Sequence, residues 1–320
     1  MDIQLGKLKG TLVRPDEERG PPVLLVHGLG MGRWVFERFQ ATLAGQGVPS
    51  IAIDLPGHGG EDESEPGFER AVAEVTEAVD ELPGCVLLGH SGGGAIAQVA
   101  AGRARPTALI LVQPFPCDGV AMPTHRFMLH LARRHLTDLL MGRPVVFEAE
   151  DLERMGLDLV PEAQRAALAD KFQPVPARLL RQLVRRPYRV DPGAVRCPTL
   201  VCTGKLDAVT PWVVGRRIGE WYDAVIWRYD DLGHFPWLQD EGVRLENQLA
   251  EYIVRPVERK VTEAEAWAPN EGRGTDARMV SRGSEGARRS AYGQRMGRQG
   301  GSATEQWDQN VTSLNGAGPS

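Results

Sequence analysis

Short, continuously apolar runs recur along the first part of the chain, each closed by a turn cluster and followed by a helical pattern. Residues 23–26 (Val-Leu-Leu-Val), 51–53 (Ile-Ala-Ile), 85–88 (Cys-Val-Leu-Leu) and 109–112 (Leu-Ile-Leu-Val) are such runs. Their length and lack of alternation predict strands buried on both faces. Residues 8–13 alternate instead, as a strand exposed at a sheet edge does. Trp34, Phe36, Phe39 and Leu43 fall at helical spacing, and Val72, Val75 and Val79 mark one face of a helix over 67–81. A helix of small residues follows 85–88 and runs to about 103. Alternating strand and helix predict the α/β class, a mostly parallel sheet flanked by helices.

That rhythm stops between residues 120 and 195, where helical patterns cover roughly 124–141, 148–155, 161–172 and 175–186, with Pro161 and Pro176 placed to begin helices. It resumes with a strand at 199–202, a helix over 211–221, a strand at 224–228 and a last helix over 241–253. Beyond about 257 the apolar periodicity is lost and Gly, Arg, Ser, Gln and Asn dominate. Such a segment buries too little apolar surface to offset its ordering entropy, so it is expected to be disordered. The organisation expected is a core of 1–119 and 196–256, a helical insertion at 120–195 and a disordered tail at 257–320.

Composition narrows the class without deciding it. The 320 residues are 42% hydrophobic and 25% charged, ordinary values for a globular chain with a sizeable core. A formal charge of −5 argues against a nucleic-acid partner. No apolar run approaches the roughly 18 residues that cross a bilayer, so no membrane insertion is expected. The first residues lack the apolar stretch of a secretory signal. Cys85, Cys117, Cys197 and Cys202 show no CxxC spacing, and three of them lie in or beside apolar runs. A cytoplasmic location follows as the expectation, and the Asn310-Val311-Thr312 sequon is read as chance.

Candidate chemistry centres on Gly89-His90-Ser91-Gly92-Gly93, between the apolar run 85–88 and the small-residue helix. This pattern fits a nucleophile elbow, a sharp strand-to-helix turn exposing one serine, where glycines avoid clashes with the adjoining strand and helix. A serine hydroxyl needs a base, and the base needs an orienting group. His234 follows the strand at 224–228 and precedes the last helix. Asp207 follows the strand at 199–202, although Asp230 and Asp231 also lie near a strand end. Ser91, Asp207 and His234 all fall at carboxyl ends of strands, where open α/β sheets gather their sites.

The elbow, the order Ser…Asp…His and His27-Gly28-Leu29-Gly30 after an early strand together resemble the α/β-hydrolase fold superfamily. Asp54-x-Pro56-Gly57-x-Gly59 and Gly233-His234-x-Pro236 extend the likeness, which spans roughly residues 10–255. The resemblance implies Ser91 as nucleophile, His234 as general base and then acid, and Asp207 as orienter. It also implies an oxyanion hole from the backbone N–H groups of Leu29 and Gly92, and two-step acyl transfer with no metal or organic cofactor. His27 and His58 would serve structurally and His90 would pack. The insertion would cap the site, with Phe127, Met128, Leu131, Leu136, Leu139 and Leu140 as its apolar stripe. Trp34, Phe127, Met128, Leu131 and Trp237 are the candidates for the substrate pocket. Arg178, Arg181, Arg185, Arg186 and Arg189 are expected on a solvated face.

The activity expected is a serine esterase acting on a small to medium apolar ester, with a small molecule as its partner. Thioester, lactone or carbon–carbon bond hydrolysis and perhydrolysis remain open on the same residues, and a non-catalytic ligand-binding protein is the alternative of another class. Gly92 stands where many relatives carry a bulkier residue such as Met, which would widen the pocket beside Ser91. A serine at the elbow argues against the dehalogenases and most epoxide hydrolases of this fold, which use Asp.

Overall fold

An all-apolar strand has no face to offer to water, so it is stable only inside a sheet covered on both sides. In the computed structural model, residues 1–58, 67–123, 126–186, 188–255 and 277–280 are described. An edge hairpin of β1 (Asp2–Leu5) and β2 (Leu8–Val13) opens the chain. The apolar runs then form β3 (Val23–Val26), β4 (Ser50–Ile53), β5 (Val86–His90) and β6 (Ala108–Val112). After the helical segment come β7 (Thr199–Gly204) and β8 (Val225–Tyr229). Strands β3 to β8 run parallel, and the order is β1-β2-β4-β3-β5-β6-β7-β8-β9. Strand β9 (Ala277–Val280) pairs antiparallel with β8 at the far edge.

Helices α1 (Glu37–Gly45) and α10 (Gly242–Val254) pack together, as do α2 (Phe68–Glu81) and α3 (Ser91–Arg103), while α9 (Trp212–Tyr222) lies against β7 and β8. Leu24, Leu25, Leu87 and Leu88 are completely buried between these layers. Each contributes about 2 kcal/mol of transfer free energy to the core. Between β6 and β7 the described chain is helical: α4 (Arg126–Arg134), α5 (Leu136–Met141), α6 (Ala149–Met155), α7 (Glu162–Ala169) and α8 (Ala177–Arg185).

Four features depart from the sequence pattern. Strand β1 was not anticipated, because its four residues carry only two inward apolar side chains, Ile3 and Leu5. The helix expected over 124–141 is divided at His135, whose backbone leaves the helical region (φ −105°, ψ 13°), and its first two positions lie outside the described residues. Leu136 and Leu140 of the expected apolar stripe are 53% and 76% exposed, because the division turns that face of α5 outward. Within the tail expected to be disordered, 277–280 form β9, whose backbone finds ladder partners on β8. The rest of that expectation, with Asn310, lies outside the described residues.

One buried carboxylate ties the outer helices together. Glu246 of α10 is fully enclosed, and Arg38 of α1 donates Nε to both its oxygens at 3.0 and 3.1 Å. Burial raises the Glu246 pKa, against which the Arg38 guanidinium acts. Arg38 also donates Nη2 to the carbonyl of Gln239 at 2.8 Å, which anchors the loop before α10. Arg38→Met strands the carboxylate without its partner and is expected to lower the unfolding free energy by about 2 kcal/mol. Chemical denaturation measures this, and an unchanged midpoint would mean that the pair is energetically neutral.

Candidate active site

Strand β5 ends at His90 and α3 begins at Ser91, with no residue between them. Ser91 therefore absorbs the whole change of direction and takes φ +54°, the left-handed region that costs a residue with a Cβ about 1–2 kcal/mol. Its neighbours must be small for the turn to close. A Cβ on Gly93 would lie 2.2 Å from the His27 carbonyl oxygen, and one on Gly89 would lie 2.6 Å from the Ala97 Cβ. The turn is thus wedged between the end of β3 and the first turns of α3.

Two loops from the other half of the sheet meet it. His234 Nε2 is 2.8 Å from Ser91 Oγ, and His234 Nδ1 is 3.0 Å from both oxygens of Asp207. A carboxylate only accepts, so Nδ1 carries the hydrogen and the Nε2 lone pair faces the serine hydroxyl. Asp207 also accepts from the N–H groups of Val209 and Thr210 (2.8 Å each) and the Thr210 hydroxyl (2.7 Å). The loop of His234 is clamped as well. His90 Nε2 donates to its carbonyl at 2.8 Å, the Gln113 amide donates to the Gly233 carbonyl, and the Gly233 N–H donates to Gln239 Oε1 at 3.0 Å. The two other acids near a strand end are engaged elsewhere, Asp230 with Arg228 at 3.0 Å and Asp231 with Arg244 at 2.7 Å.

The site lies where the strand order reverses. Strand β3 is flanked by β4 on one side and β5 on the other, so the loops leaving β3 and β5 diverge and open a crevice. Leu29 follows β3 and Gly92 follows Ser91, and the two are in contact: a Cβ on Gly92 would meet Leu29 Cγ at 2.8 Å. The Gly92 N–H belongs to the first turn of α3 and has no carbonyl partner within the helix. The room expected beside Ser91 from a glycine at this position is therefore filled, by Leu29 and by Leu183 of α8.

Above Ser91 lies a cavity of about 120 Å³ between the sheet edge and the helical segment. Phe127, Met128 and Leu131 of α4 line it, with Leu139 of α5. Trp34 and Trp237 do not. Trp237 is fully buried below, stacked on Phe39 at 5.0 Å and edge-on to Phe36 at 5.3 Å, while Trp34 packs edge-on to Phe172 at 5.7 Å. Trp237 finds its aromatic partners in the core and Trp34 finds Phe172 of the helical segment, which sequence spacing does not reveal. None of the five arginines lines the cavity. Arg181 and Arg186 donate to the carbonyls of Leu139 and Val120, and Arg178, Arg185 and Arg189 are exposed.

The sequence pattern of the alpha/beta hydrolase family matches residues 23–245. The chain belongs to that family. It is an enzyme of the hydrolase class. A pimeloyl-[acyl-carrier protein] methyl ester esterase from Chromobacterium violaceum is 30% identical over 241 residues, 70% of this chain and 91% of the relative. A protein of the same name from Aromatoleum aromaticum is 31% identical over 246 residues, 68% of this chain and 92% of the relative. The solved structure of an esterase from Exiguobacterium antarcticum, 19% identical, superposes with a TM-score of 0.62 over 79% of this chain and 98% of its own. That likeness concerns the fold.

Three further histidines of this hydrolase surround the site without meeting Ser91. His27 Nδ1 donates to the Gly28 carbonyl at 2.7 Å and its Nε2 accepts the Leu55 N–H at 3.0 Å. His58 Nε2 accepts the Gly30 N–H at 3.0 Å, which pins the loop that carries Leu29. Burial lowers the His27 pKa to about 4 and the His58 pKa to about 3, so both rings are neutral at pH 7. Burial also pushes His90 well below the ordinary range. Among the described residues no cluster of three or more His, Cys, Asp or Glu is arranged to hold a metal ion, and no helix is long and apolar enough to cross a membrane.

Two polar residues of the site were not foreseen. Thr210 escaped because a hydroxyl three residues after Asp207 reads as an ordinary turn. His135 also lines the cavity. Its signal was present, because it occupies the position between Leu131 and Leu139 at helical spacing, where the apolar stripe is interrupted.

Unfolding exposes imidazoles that bind protons below about pH 6.5, while His27 and His58 in the folded protein do not until about pH 4 and 3. The unfolded state therefore binds more protons in that window, and stability falls as the pH drops from about 6.5 towards 4. His58→Gln keeps an acceptor for the Gly30 N–H and is expected to flatten this decline by about 1 kcal/mol per pH unit. Urea midpoints between pH 4 and 7 test it, and curves of equal slope for the two proteins would be the contrary result.

Proposed function

We propose that the protein is a serine carboxylic ester hydrolase in which Ser91 is the nucleophile, His234 the base and Asp207 the orienting acid. The observation that carries this is the continuous contact from Asp207 through His234 to Ser91 Oγ, ending at a residue held in the strained turn of the elbow. Residues 120–195 then act as a cap, and the cavity beneath it takes the apolar portion of the substrate, a small to medium ester. Relatives named as methyl ester esterases support a small alcohol as the leaving group. Four free thiols, Cys85, Cys117, Cys197 and Cys202, support a cytoplasmic location.

In the first step Ser91 Oγ bonds to the ester carbonyl carbon while its proton passes to His234 Nε2. The carbonyl π pair moves onto oxygen, where the N–H groups of Leu29 and Gly92 receive it. A preorganised hydrogen bond to a developing oxyanion is worth about 3 kcal/mol. Asp207 stabilises the imidazolium that His234 becomes, and the N–H groups of Val209 and Thr210 with the Thr210 hydroxyl hold the carboxylate in place. Collapse of the tetrahedral adduct breaks the carbon–alkoxide bond, and His234 returns the proton to the departing alcohol. Water then adds to the acyl-enzyme with its proton going to Nε2, and collapse releases the carboxylic acid and restores the Ser91 hydroxyl.

Ser91→Ala removes the nucleophile and leaves the apolar cavity intact. It is expected to lower kcat/KM for a short-chain p-nitrophenyl ester by at least about 10⁴-fold, with binding of the ester little changed. Steady-state kinetics on the purified variant, with fluorophosphonate labelling of the parent protein, measure both. Wild-type turnover by the variant would refute the assignment, and a folded parent that fails to label at Ser91 would favour ligand binding without catalysis.

A further inference from the structure

A polar side chain is stable in an apolar cavity only when it is hydrogen-bonded, and ligand sites use a few such groups to fix orientation. Fifteen described residues line the cavity above Ser91, and the only polar ones among them are Ser91 itself and His135. The histidine is buried at the junction of α4 and α5. Its Nε2 lies 3.0 Å from Asp151 Oδ2 on α6.

Asp151 is fully enclosed and held from several sides. It accepts the Glu148 N–H at 3.0 Å, closing the N-terminal cap of α6, and His130 Nε2 at 2.8 Å, with Arg134 Nε at 3.5 Å. Burial alone would raise its pKa, but the Glu148 N–H and the two histidines outweigh this and hold the carboxyl below its usual range. An ionised carboxylate only accepts, so the His135 hydrogen is on Nε2, and in the neutral ring Nδ1 keeps its lone pair. That nitrogen makes no hydrogen bond among the described residues. The arrangement is the mirror of His234, whose Nδ1 meets the acid and whose Nε2 is left for chemistry.

We propose that His135 is a specificity-determining residue of the ester pocket, accepting a hydrogen bond through Nδ1 from a neutral donor, such as a hydroxyl, on the portion of the substrate lodged beneath the cap. The inference rests on the serine-esterase reading. The other role open to His135 is that of a strut joining α4 to α6, which His130 performs already through the other oxygen of Asp151.

The test uses pairs of p-nitrophenyl esters with straight acyl chains of about four to eight carbons, each pair differing only by a terminal hydroxyl. An apolar pocket alone disfavours the hydroxyl, whereas a waiting acceptor reverses the order. The expected result is a preference of about tenfold in kcat/KM for the hydroxylated ester at one chain length. In His135→Gln the amide N–H can still reach Asp151 but no acceptor stands at the Nδ1 position, so the ratio falls to about one or below. His135→Asn keeps an acceptor near Nδ1, cannot reach Asp151, and retains the preference. Three outcomes overturn the inference: no hydroxyl preference at any length, a preference kept in Gln and lost in Asn, or a stronger preference for a terminal carboxylate. If Ser91 labels with a fluorophosphonate while no preference is seen, only the role of His135 falls. If neither ester is cleaved and Ser91 does not label, the esterase reading fails and takes this one with it.

Discussion

Holding one serine in a left-handed backbone conformation at the junction of β5 and α3 constrains everything around it. A side chain at that point is raised clear of the sheet edge, but the turn closes only if the chain on either side comes very near its neighbours. Gly93 lies where a single added carbon would enter the carbonyl oxygen of His27, and Gly89 where it would enter Ala97. The end of β3, the start of α3 and the loop of Leu29 are thereby locked to one another. This is strain of about 1–2 kcal/mol sustained by a large buried sheet, and it delivers Ser91 Oγ to within 2.8 Å of a histidine 143 residues away.

Histidine is used in several distinct ways within a small volume. His234 is flanked by an acid and faces the serine hydroxyl. His27, His58 and His90 are buried and neutral, and serve the backbone: they receive the N–H groups of Leu55 and Gly30 and hold the carbonyl of His234. What separates these roles is the partner. A carboxylate beside one ring nitrogen directs the other nitrogen towards chemistry, whereas a carbonyl or amide beside it leaves a ring that desolvation keeps uncharged. On the helical segment His130 and His135 share one carboxylate partner, Asp151, and of the two it is His135 that lines the cavity above Ser91.

The helical segment closes the crevice with apolar side chains. Phe127, Met128, Leu131 and Leu139 line a small apolar volume above Ser91. The same segment carries its arginines away from this volume, two of them donating to backbone carbonyls at its own base. Its electrostatics therefore belong to its packing and its outer surface.

The central strands and the elbow were legible in the sequence because each is a local consequence of residue type. A strand buried on both faces must be wholly apolar, and a turn of this curvature must be flanked by glycines. The choice of Asp207 over Asp230 and Asp231 was not local. It depended on which carboxylate the loop after β7 brings to His234 while Arg228 and Arg244 engage the other two. Trp34 and Trp237 lie away from the cavity for the same reason, since an aromatic ring follows whichever partner the folded layers bring near. The β9 pairing likewise arises from contact between segments far apart in the chain, and the meeting of His135 with Asp151 from the packing of one helix on another. Sequence periodicity records how a residue sits on its own element; which element it then meets is set only when the layers pack.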